Sequence, residues 1–313
     1  MCGIFGVYGH HSFEYCINHI EEILSTLNKR GPDKKDFFQN QDLKILLGHT
    51  RLSILELSKF GSQPMLSTSK ELTISFNGEI YNHEILRSDL KQKNLIYFGN
   101  SDTRSLIEHI SNFGISYTLN KIRGMFAFAL FDAVNDNIIL ARDAFGEKPL
   151  YYLVQNNTLY FSSTLEAFKK IENIKLDIDK SSLNTFLKRG YIPYSETIYK
   201  NVYKVQKGSF INFKLDRKNK ILKQDITFWF NNNEIKNKNE HTITENIDKV
   251  EELISTSVKQ QLVADVPVGV LLSGGVDSSL ISTIASKVSN KKINTFTIGF
   301  HDKKYDESSN AQK

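Results

Sequence analysis

The first 205 residues contain a series of short apolar segments, and this series constrains the fold more than any other feature of the chain. Each segment is apolar and bounded by Gly, Asn or Asp, which is typical of β-strands. The series comprises residues 43–47, 72–76, 126–131, 138–141, 150–154 and 158–163. Residues 16–27 and 106–113 instead repeat their apolar positions at helical spacing. This combination predicts two stacked sheets covered by helices.

The pattern changes in the last quarter of the chain. Residues 207–240 predict a strand, a charged turn and a polar linker rich in Asn and Lys. Thr242-Ile243-Thr244-Glu245 then fits a capping box at the start of a helix. We expect one face of that helix to be buried through Ile247, Val250, Ile254 and Val258.

After that helix, the order of segments is typical of a parallel sheet. An apolar strand at 268–272 leads into a glycine- and serine-rich loop at 273–279, a helix to about residue 288, and a strand at 293–300. A strand, a helix and a second strand in this order predict a βαβ unit, the start of a doubly wound α/β domain.

Composition excludes several classes of protein. The chain has 313 residues, 40% hydrophobic and 24% charged, which is typical of about two globular domains. No apolar run approaches the ~20 residues that span a bilayer, and no secretory signal begins the chain, so we expect no membrane partner and a cytoplasmic location. The net charge of +5 is spread along the chain without a basic face interleaved with aromatics, so we expect no nucleic-acid partner.

Cys2 is the candidate nucleophile. If Met1 is removed, one residue carries both a thiol and a free α-amine that can accept the thiol proton. A small residue at position 2 favours that removal. Two cysteines are too few for a disulfide framework, and we expect Cys16 to be a core residue. A cysteine at position 2 taken alone would favour a buried, unreactive role.

Further motifs follow Cys2 in a fixed order. They are Arg30-Gly31-Pro32-Asp33, residues 48–54 (GHTRLSI), residues 76–82 (FNGEIYN), Ser101-Asp102-Thr103, and Arg142-Asp143 with residues 145–152 (FGEKPLYY). Together with the opening Cys2-Gly3-Ile4-Phe5-Gly6 they resemble the class II glutamine amidotransferases. The resemblance implies the αββα sandwich of N-terminal-nucleophile hydrolases and glutamine hydrolysis by Cys2.

The same resemblance implies a role for each residue of the pocket. Cys2 would attack the side-chain amide of glutamine, while the Asn77 side chain and the Gly78 N–H would stabilise the oxyanion. Arg51 would bind the α-carboxylate, and Asp102 the α-ammonium. The other residues of the glutamine pocket would be Leu52, Ser53, Ile54, Leu55 and Glu79.

Each of these residue types also has a structural interpretation. Asn77-Gly78 is a common sequence for a type I′ hairpin turn, and such a turn could itself form the oxyanion hole. Arg51 could form a surface ion pair, and Asp102 could cap a helix. His49 has no catalytic role in the family, because the α-amine serves as base, so we interpret it as structural.

The loop after the strand at 268–272 resembles the pyrophosphate loop of the ATP pyrophosphatases. Its glycines let backbone N–H groups approach a phosphate, and a helix N-terminus adds positive potential. Asp277 would hold Mg²⁺ beside the pyrophosphate, and Leu272 and Ile298 would flank the adenine. The residues implied to contact ATP are Leu272, Ser273, Gly274, Gly275, Val276, Asp277, Ser278 and Ile298.

A glutaminase followed by this loop resembles the glutamine-hydrolysing asparagine synthetases. The resemblance implies glutamine, aspartate and ATP as ligands, Mg²⁺ as cofactor, and a β-aspartyl-AMP intermediate attacked by ammonia from Cys2. The expected domains are a glutaminase at 2–205, a hairpin and linker at 206–240, and the first part of an ATP pyrophosphatase domain at 241–313. A homodimer is compatible with the sequence.

Two alternatives remain open. One is an amidotransferase that acts on another carboxylate, such as a surface-polysaccharide sugar acid. The other is a non-catalytic remnant that binds glutamine. Because only about 70 residues of the second domain are present, we expect residues 1–313 alone to hydrolyse glutamine weakly and to make no asparagine.

Overall fold

The computed structural model describes residues 1–95, 97–216, 221–230 and 242–312. The chain divides into two compact units, Met1–Asn232 and Asn233–Lys313. No helix among the described residues is both long enough and apolar enough to cross a bilayer. Residues 231–241, which include the last ten residues of the expected hairpin and linker at 206–240, lie outside the described residues.

The first unit contains twelve strands in the described residues. They are β1 (Gly3–Tyr8), β2 (Lys34–Asn40), β3 (Ile45–Arg51), β4 (Met65–Leu66), β5 (Leu72–Ile80), β6 (Gly124–Asp132), β7 (Asn137–Arg142), β8 (Tyr151–Gln155), β9 (Thr158–Ser162), β10 (Val202–Lys204), β11 (Ser209–Asp216) and β12 (Ile221–Phe228). Its α-helices are α1 (Phe13–Asn18), α2 (Ile20–Ser25), α3 (His83–Gln92), α4 (Asp102–Phe113), α5 (Ile115–Lys121) and α6 (Lys180–Arg189).

These strands form two antiparallel sheets of six strands each. The first sheet has the order β10-β8-β9-β1-β3-β2, and the second has the order β12-β11-β7-β6-β5-β4. Strand β1 lies inside the first sheet, where Gly3 pairs with Thr50 of β3 and Phe5 pairs with Ser162 of β9. Strand β1 is therefore paired with β3 from Gly3 and with β9 from Phe5, and Cys2 is the residue immediately before it.

Three clusters of buried side chains define the layers. The central cluster joins the two sheets through residues such as Ile4 and Leu47 from the first and Ala129 and Leu140 from the second. Alternate residues of β1 point the other way, because side chains along a strand alternate between the two faces. Phe5 therefore packs against α1 and α2 instead.

Helices cover both outer faces. Helices α3, α4 and α5 pack on the second sheet through Leu86, Leu106 and Leu119. Helices α1 and α2 pack on the first sheet through Cys16 and Ile23. The four layers are helix, sheet, sheet and helix, so the expected αββα sandwich is confirmed. Cys16 is fully buried, as expected, and burial raises the pKa of its thiol to about 12.

The structure differs from the predicted segments in three places, and each difference has a local cause. The strand expected at 43–47 begins only at Ile45, because Lys44 has a positive φ of 47° and belongs to a turn. The helix expected at 16–27 is interrupted at His19, which has φ −116° and ψ 17°. Strand β2 was not predicted, because its mostly exposed sequence is polar.

The second unit contains a short parallel sheet and helices. Strands β13 (Gly269–Leu271) and β14 (Asn294–Phe296) pair in parallel, and the helices are α7 (Ile243–Gln261), α8 (Val276–Val288) and α9 (Ser308–Ala311). The capping box is confirmed: Glu245 N donates to Thr242 Oγ1 at 3.3 Å, and Thr242 N donates to Glu245 Oε2 at 2.8 Å. The β13-α8-β14 order is the expected βαβ unit.

The prediction that one face of α7 is buried is wrong for the first half of the helix. Ile247 and Val250 are 60% and 53% exposed. Only Val258 of that face is buried, where it packs with Ile284 and Ala285 of α8. The periodicity identified the apolar face correctly, but among the described residues of this unit nothing covers its N-terminal half. Strand β14 is also shorter than the expected 293–300.

The central cluster predicts where the first unit is most sensitive to substitution. Leu140→Ala removes a fully buried side chain from the cluster between the sheets. We expect it to lower the free energy of unfolding by about 2–5 kcal/mol, measured by urea denaturation. Leu187→Ala on α6 makes the same chemical change at a position that is 74% exposed, and should change that free energy by less than about 0.5 kcal/mol. Equal effects of the two variants would contradict the assigned core.

Candidate active site

Cys2 lies immediately before β1, and its thiol contacts the chain just after β3. Leu52 N donates to Cys2 Sγ at 3.5 Å, and Sγ lies 3.7 Å from Leu52 O. Arg30 Nε donates to the Cys2 carbonyl at 3.0 Å. The pairing of Gly3 with Thr50 brings these groups together. Cys2 is only partly exposed, so its thiol occupies one defined position.

A small cavity of about 30 Å³ lies beside this thiol. Eight of the ten residues predicted for the glutamine site line it, namely Cys2, Arg51, Leu52, Ile54, Leu55, Gly78, Glu79 and Asp102. Ser53 and Asn77 are not among the lining residues, and the Ser53 N–H donates to Asp33 Oδ2 at 2.7 Å. The cavity holds about one or two waters, so it must widen before it can admit an amino acid.

The sequence did not single out five further residues that line the cavity. They are Gly61, Gln63, Phe76, Ser101 and Thr103. Gln63 joins two of the surrounding segments, because its Oε1 accepts from Phe76 N at 2.7 Å and its Nε2 donates to Thr103 Oγ1 at 3.3 Å. Phe76, Ser101 and Thr103 belong to the motifs quoted above, so those motifs could have identified them. Gly61 and Gln63 lie outside these motifs.

Asn77 and Gly78 lie within strand β5, opposite Ala127 and Phe126 of β6. The expected type I′ turn is therefore wrong, because the long β5–β6 ladder keeps this Asn-Gly pair extended. A side chain at Gly78 would place its Cβ 2.2 Å from the Met125 carbonyl, so the close packing of the two strands requires glycine.

The Asn77 side chain is fully buried, and neither its amide nitrogen nor its amide oxygen has a hydrogen-bond partner among the described residues. Leaving such a group unpaired costs about 1–3 kcal/mol. Buried polar groups are almost always paired. A buried, unpaired amide is therefore typical of a group that is reserved for a ligand.

Arg51 ends β3 and is 7% exposed, which is not compatible with a surface ion pair. Its Nη1 donates to the Ser58 carbonyl at 3.2 Å, and its Nη2 to the carbonyls of Leu55, at 3.4 Å, and Glu56. Gly61 packs so closely that an added Cβ would lie 2.1 Å from Nη2. The guanidinium is thus held by the loop that forms one wall of the cavity.

Asp102 is the first residue of α4 and is 5% exposed. Its Oδ2 accepts from Ile80 N at 2.9 Å, and its Oδ1 from Thr103 N at 2.6 Å. The carboxylate therefore links α4 to the end of β5, in addition to bonding within its own helix. Burial raises its pKa, although these hydrogen bonds act in the opposite direction.

Glu79 is the second carboxyl group of the cavity. Burial, and then the nearby Asp102 carboxylate, raise its pKa to about 8. Lys148 and the N-terminal amine act in the opposite direction. Glu79 is therefore mostly protonated at neutral pH, which reduces the repulsion between the two carboxyl groups.

Burial also favours the uncharged forms of the thiol and the amine. It raises the pKa of Cys2, against the effects of the Leu52 N–H and the terminal amine. It lowers the pKa of the terminal amine, which in the unprocessed chain belongs to Met1. Removal of Met1 would place the terminal amine on Cys2, and that amine is the one that would accept the thiol proton.

His49 supports the expected structural role. Its Nε2 lies 3.1 Å from the Phe76 carbonyl, so the ring connects β3 of one sheet to β5 of the other. It is 1% exposed, and burial lowers its pKa to about 4. The ring is therefore neutral at physiological pH.

In the second unit, the loop between β13 and α8 is ordered by serine hydroxyls. Ser273 N donates to Ser278 Oγ at 3.2 Å, and Gly275 N donates to Ser273 Oγ at 3.4 Å. Gly274 has a φ of +82°, a conformation that favours glycine. Gly275 precedes the first turn of α8. The predicted phosphate-contacting residues thus lie together at a helix N-terminus.

The other predicted nucleotide contacts lie next to this loop. Leu272 N donates to the Phe296 carbonyl at 2.8 Å, and Ile298, two residues beyond β14, is 70% exposed. Asp277 is exposed in the first turn of α8. Mg²⁺ in nucleotide sites usually binds one or two carboxylates plus substrate phosphates, so a single Asp277 fits the ion expected here. The described residues contain no cluster of three or more His, Cys, Asp or Glu side chains that could hold a metal alone.

The fold and the position of Cys2 define the class: an αββα sandwich with a cysteine just before an inner strand, as in N-terminal-nucleophile amidotransferases. The chain belongs to the glutamine amidotransferase domain family, whose model matches residues 1–229. Residues 249–313 match the model of the asparagine synthase family.

Named relatives extend over both units. Asparagine synthetase [glutamine-hydrolyzing] 1 of Bacillus subtilis is 33% identical over 98% of this chain, which covers 47% of that protein. The amidase chry2 of Gibberella zeae is 31% identical over 91% of this chain, which covers 43% of that protein. The chain thus spans about half the length of these relatives.

A solved structure titled as the allosteric regulatory enzyme of purine biosynthesis has a TM-score of 0.51 and 16% identity to this chain. The match covers 96% of this chain and 66% of that one. At this identity the likeness concerns the fold alone, and it agrees with the four-layer sandwich.

The raised pKa of Glu79 predicts a specific pH dependence of stability. A carboxyl group whose pKa is raised on folding stabilises the fold below its unfolded pKa, and this contribution is lost as pH rises towards 8. Glu79→Gln should therefore unfold like the wild type near pH 4.5 and become more stable than it above pH 8, by on the order of 1–3 kcal/mol. Thermal unfolding between pH 4.5 and 9 measures this difference.

The control is Glu71→Gln, which removes an exposed carboxylate just before β5. Its unfolding curve should follow that of the wild type at every pH. If the difference in stability between Glu79→Gln and the wild type stayed the same from pH 4.5 to pH 9, the assigned ionisation of Glu79 would be wrong.

Proposed function

We propose that the first unit hydrolyses the side-chain amide of glutamine, with Cys2 as nucleophile. The observation that carries this proposal is the fully buried, unpaired amide of Asn77, the residue before Gly78, which lines the cavity together with Cys2. A structural asparagine would have its hydrogen bonds satisfied, whereas an oxyanion donor needs a free N–H that points to the reacting atom.

The reaction follows from the groups in the cavity. Sγ attacks the amide carbon while its proton passes to the α-amine of Cys2, directly or through one water. The Asn77 amide and the Gly78 N–H donate to the resulting oxyanion. The protonated amine then gives its proton to the leaving nitrogen, and ammonia departs. Water, deprotonated by the same amine, hydrolyses the thioester to release glutamate and restore the thiol.

The charged ends of glutamine match the other cavity residues. Arg51 offers a planar fork of donors that suits the α-carboxylate. Asp102 offers a buried carboxylate to the α-ammonium. Protonated Glu79 adds no second negative charge at neutral pH. Binding of the α-ammonium beside Asp102 and Glu79 lowers the cost of burying the negative charge of Asp102.

For the second unit, we propose binding of ATP with Mg²⁺ and use of the released ammonia to convert aspartate to asparagine. The Ser273–Ser278 loop at the start of α8 would contact the pyrophosphate, and Asp277 would hold Mg²⁺. When bound, Mg²⁺ neutralises charge on the phosphates. The proposal is supported by the asparagine synthase family match and the name of the Bacillus subtilis relative.

A second acceptor class remains a candidate because of one comparison. The amidase chry2 of Gibberella zeae is as similar to this chain, over nearly the same length, as relatives named asparagine synthetase. An amidotransferase that acts on a carboxylate other than aspartate therefore fits the same two units. Assaying the longer reading frame, if one exists, with ATP, glutamine and a panel of carboxylic acids distinguishes the two.

The nucleophile is tested by Cys2→Ala, which removes the thiol but leaves the cavity intact. We expect glutamate release to fall by about a thousandfold or more, because the covalent route is lost. Cys16→Ala removes the other, buried thiol and should keep most of the activity. Glutamate release and intact mass are the measurements.

Equal activity of Cys2→Ala and the wild type would contradict the proposal, as would an active protein that retains Met1. Wild-type protein that binds glutamine without releasing glutamate would favour the non-catalytic alternative.

The nucleotide loop is tested by Asp277→Asn. If Asp277 holds Mg²⁺, this variant should bind a fluorescent ATP analogue about tenfold more weakly with Mg²⁺ present, about 1.4 kcal/mol. In EDTA, the variant and the wild type should bind equally. Asp248→Asn removes an exposed carboxylate from α7 and serves as control. The same loss with and without Mg²⁺ would contradict the proposed role.

A further inference from the structure

Gln63 is a buried amide that the proposed reaction does not use. It lies between β3 and β4, is 7% exposed, and lines the cavity together with Cys2 and Gly78. Both ends of its side chain are hydrogen-bonded: Oε1 accepts from Phe76 N at 2.7 Å, and Nε2 donates to Thr103 Oγ1 at 3.3 Å. Because a backbone N–H can only donate, Phe76 determines which end of the amide carries the oxygen. The amide therefore has one defined orientation.

Gln63 takes the place of a strand partner at one edge of β5. Strand β4 contains only Met65 and Leu66, and Met65 pairs with Ile74 of β5. The same register, continued along β5, sets Gln63 opposite Phe76. The Gln63 side chain, and not a further residue of β4, accepts the Phe76 N–H. It thus extends the hydrogen bonding at this edge of β5 beyond the end of β4.

Asp102 accepts an N–H from the same edge, four residues further along β5. Ile80 N donates to Asp102 Oδ2 at 2.9 Å. In an antiparallel sheet, the N–H groups of alternate residues in a strand point to the same edge. The N–H of Gly78, midway between Phe76 and Ile80, therefore points to this edge as well. Gly78 lines the cavity, as Gln63 and Asp102 do on either side of it.

Gln63 and Asp102 are themselves joined through Thr103. Thr103 Oγ1 accepts from Gln63 Nε2 and donates to Asp102 Oδ1 at 3.3 Å, and Thr103 N donates to the same oxygen at 2.6 Å. A hydroxyl can accept and donate at the same time. A continuous chain of hydrogen bonds therefore runs from Phe76 N to Ile80 N. It closes around the part of β5 that carries both proposed oxyanion donors.

We propose that Gln63 is a positioning residue of the glutaminase, whose amide holds β5 so that the Gly78 N–H is directed at the reacting carbonyl. This inference rests on the proposed function, because only an amide under attack presents an oxyanion to that N–H. An oxyanion donor is effective when it is held in place before the charge develops. Glycine has the most flexible backbone of all residues, and the bonds at Phe76 and Ile80 restrain this one from both sides.

The contacts predict which kinetic constant Gln63 affects. The oxyanion forms only during the reaction, so a misdirected Gly78 N–H weakens binding of the transition state more than binding of glutamine. Arg51 is held by the carbonyls of the loop after β3. Without Gln63, Asp102 keeps its bonds from the N–H groups of Ile80 and Thr103. Turnover should therefore fall, whereas substrate binding should change little.

The first experiment measures kcat and KM for glutamine hydrolysis by Gln63→Met, which keeps the length of the side chain and removes both hydrogen bonds. We expect kcat to fall about 10- to 100-fold, less than the loss of an entire oxyanion donor. KM should stay within about threefold of the wild type. Active sites are counted with an electrophilic glutamine analogue that alkylates the thiol. An unchanged kcat per active site, or a KM that rises as much as kcat falls, would overturn the inference.

Gln155→Met is the matched control. Gln155 is a partly buried residue at the end of β8, and its Nε2 donates to the Asn173 carbonyl at 2.8 Å. It is not among the residues that line the cavity. The variant makes the same chemical change in the same unit and should keep the kcat and KM of the wild type. An equal fall of kcat in this variant would overturn the inference.

A conservative variant, Gln63→Glu, tests the assigned hydrogen bonds. It keeps an oxygen opposite Phe76 N and, when protonated, offers an O–H to Thr103 Oγ1. Burial beside the carboxyl groups of Asp102 and Glu79 favours the protonated form. Relative to the wild type at the same pH, its kcat should be nearly restored at about pH 6 and fall towards that of Gln63→Met at about pH 9. A loss equal to that of Gln63→Met at every pH would overturn the inference.

The second experiment does not depend on activity. Hydrogen exchange, followed by mass spectrometry of peptides that span Leu72–Ile80, reports how firmly the N–H groups of β5 are held. Gln63→Met should speed exchange in this segment about tenfold, as for the loss of one net hydrogen bond, and Gln155→Met should not. If the wild type releases no glutamate but this change occurs, the proposed function fails and the hold of Gln63 on β5 stands. Unchanged exchange in Gln63→Met overturns the inference, whether or not glutamate is released.

Loss of fold is also an informative outcome. Circular dichroism and thermal unfolding of both Gln63 variants accompany the two experiments. If neither Gln63→Met nor Gln63→Glu folds, Gln63 serves the stability of the sheet alone, and the inference is overturned.

Discussion

The candidate site depends on the pairing of β1 inside the first sheet. Gly3 opposite Thr50, and Phe5 opposite Ser162, fix the residue before the strand between two neighbours. The distance to the second sheet is set by His49, whose ring contacts the Phe76 carbonyl next to Asn77. A register shift of one residue in β1 would turn its side chains to the opposite face. The residue that carries the thiol and the strand that carries Asn77 and Gly78 are both fixed in this way.

Burial gives the site a common electrostatic property. It shifts the pKa values of the amine, the thiol and Glu79 towards their uncharged forms. Burial also raises the pKa of Asp102, although N–H groups from Ile80 and Thr103 act in the opposite direction. Burial thus favours the uncharged form of each of these four groups. The ammonium and carboxylate of an amino acid would add a pair of opposite charges to groups that burial otherwise keeps uncharged.

Much of this arrangement could be predicted from the sequence. The sheets and the capping box at Thr242 follow from periodicity and motifs, and eight of the cavity residues follow from the family resemblance that the motifs carry. The extended conformation of Asn77-Gly78 could not, because the long ladder with β6 overrides the local preference of that pair for a turn. The exposure of Ile247 could not be predicted either, because a periodic pattern identifies an apolar face but does not show what covers it. Gly61 and Gln63 lacked a local signal, because close packing on Arg51 and a bridge to Thr103 depend on tertiary contacts.

The hydrogen bonds of Arg51 have a consequence for selectivity. Its guanidinium already donates to the carbonyls of Leu55, Glu56 and Ser58, which leaves part of its five N–H groups for a ligand. In the proposed glutamine site, a carboxylate would offer this guanidinium stronger, charge-assisted bonds than these carbonyls do. A simple amide such as acetamide carries no carboxylate and would gain no such bond from Arg51. On this proposal, Arg51 and the loop that holds it would favour amino acids over small amides.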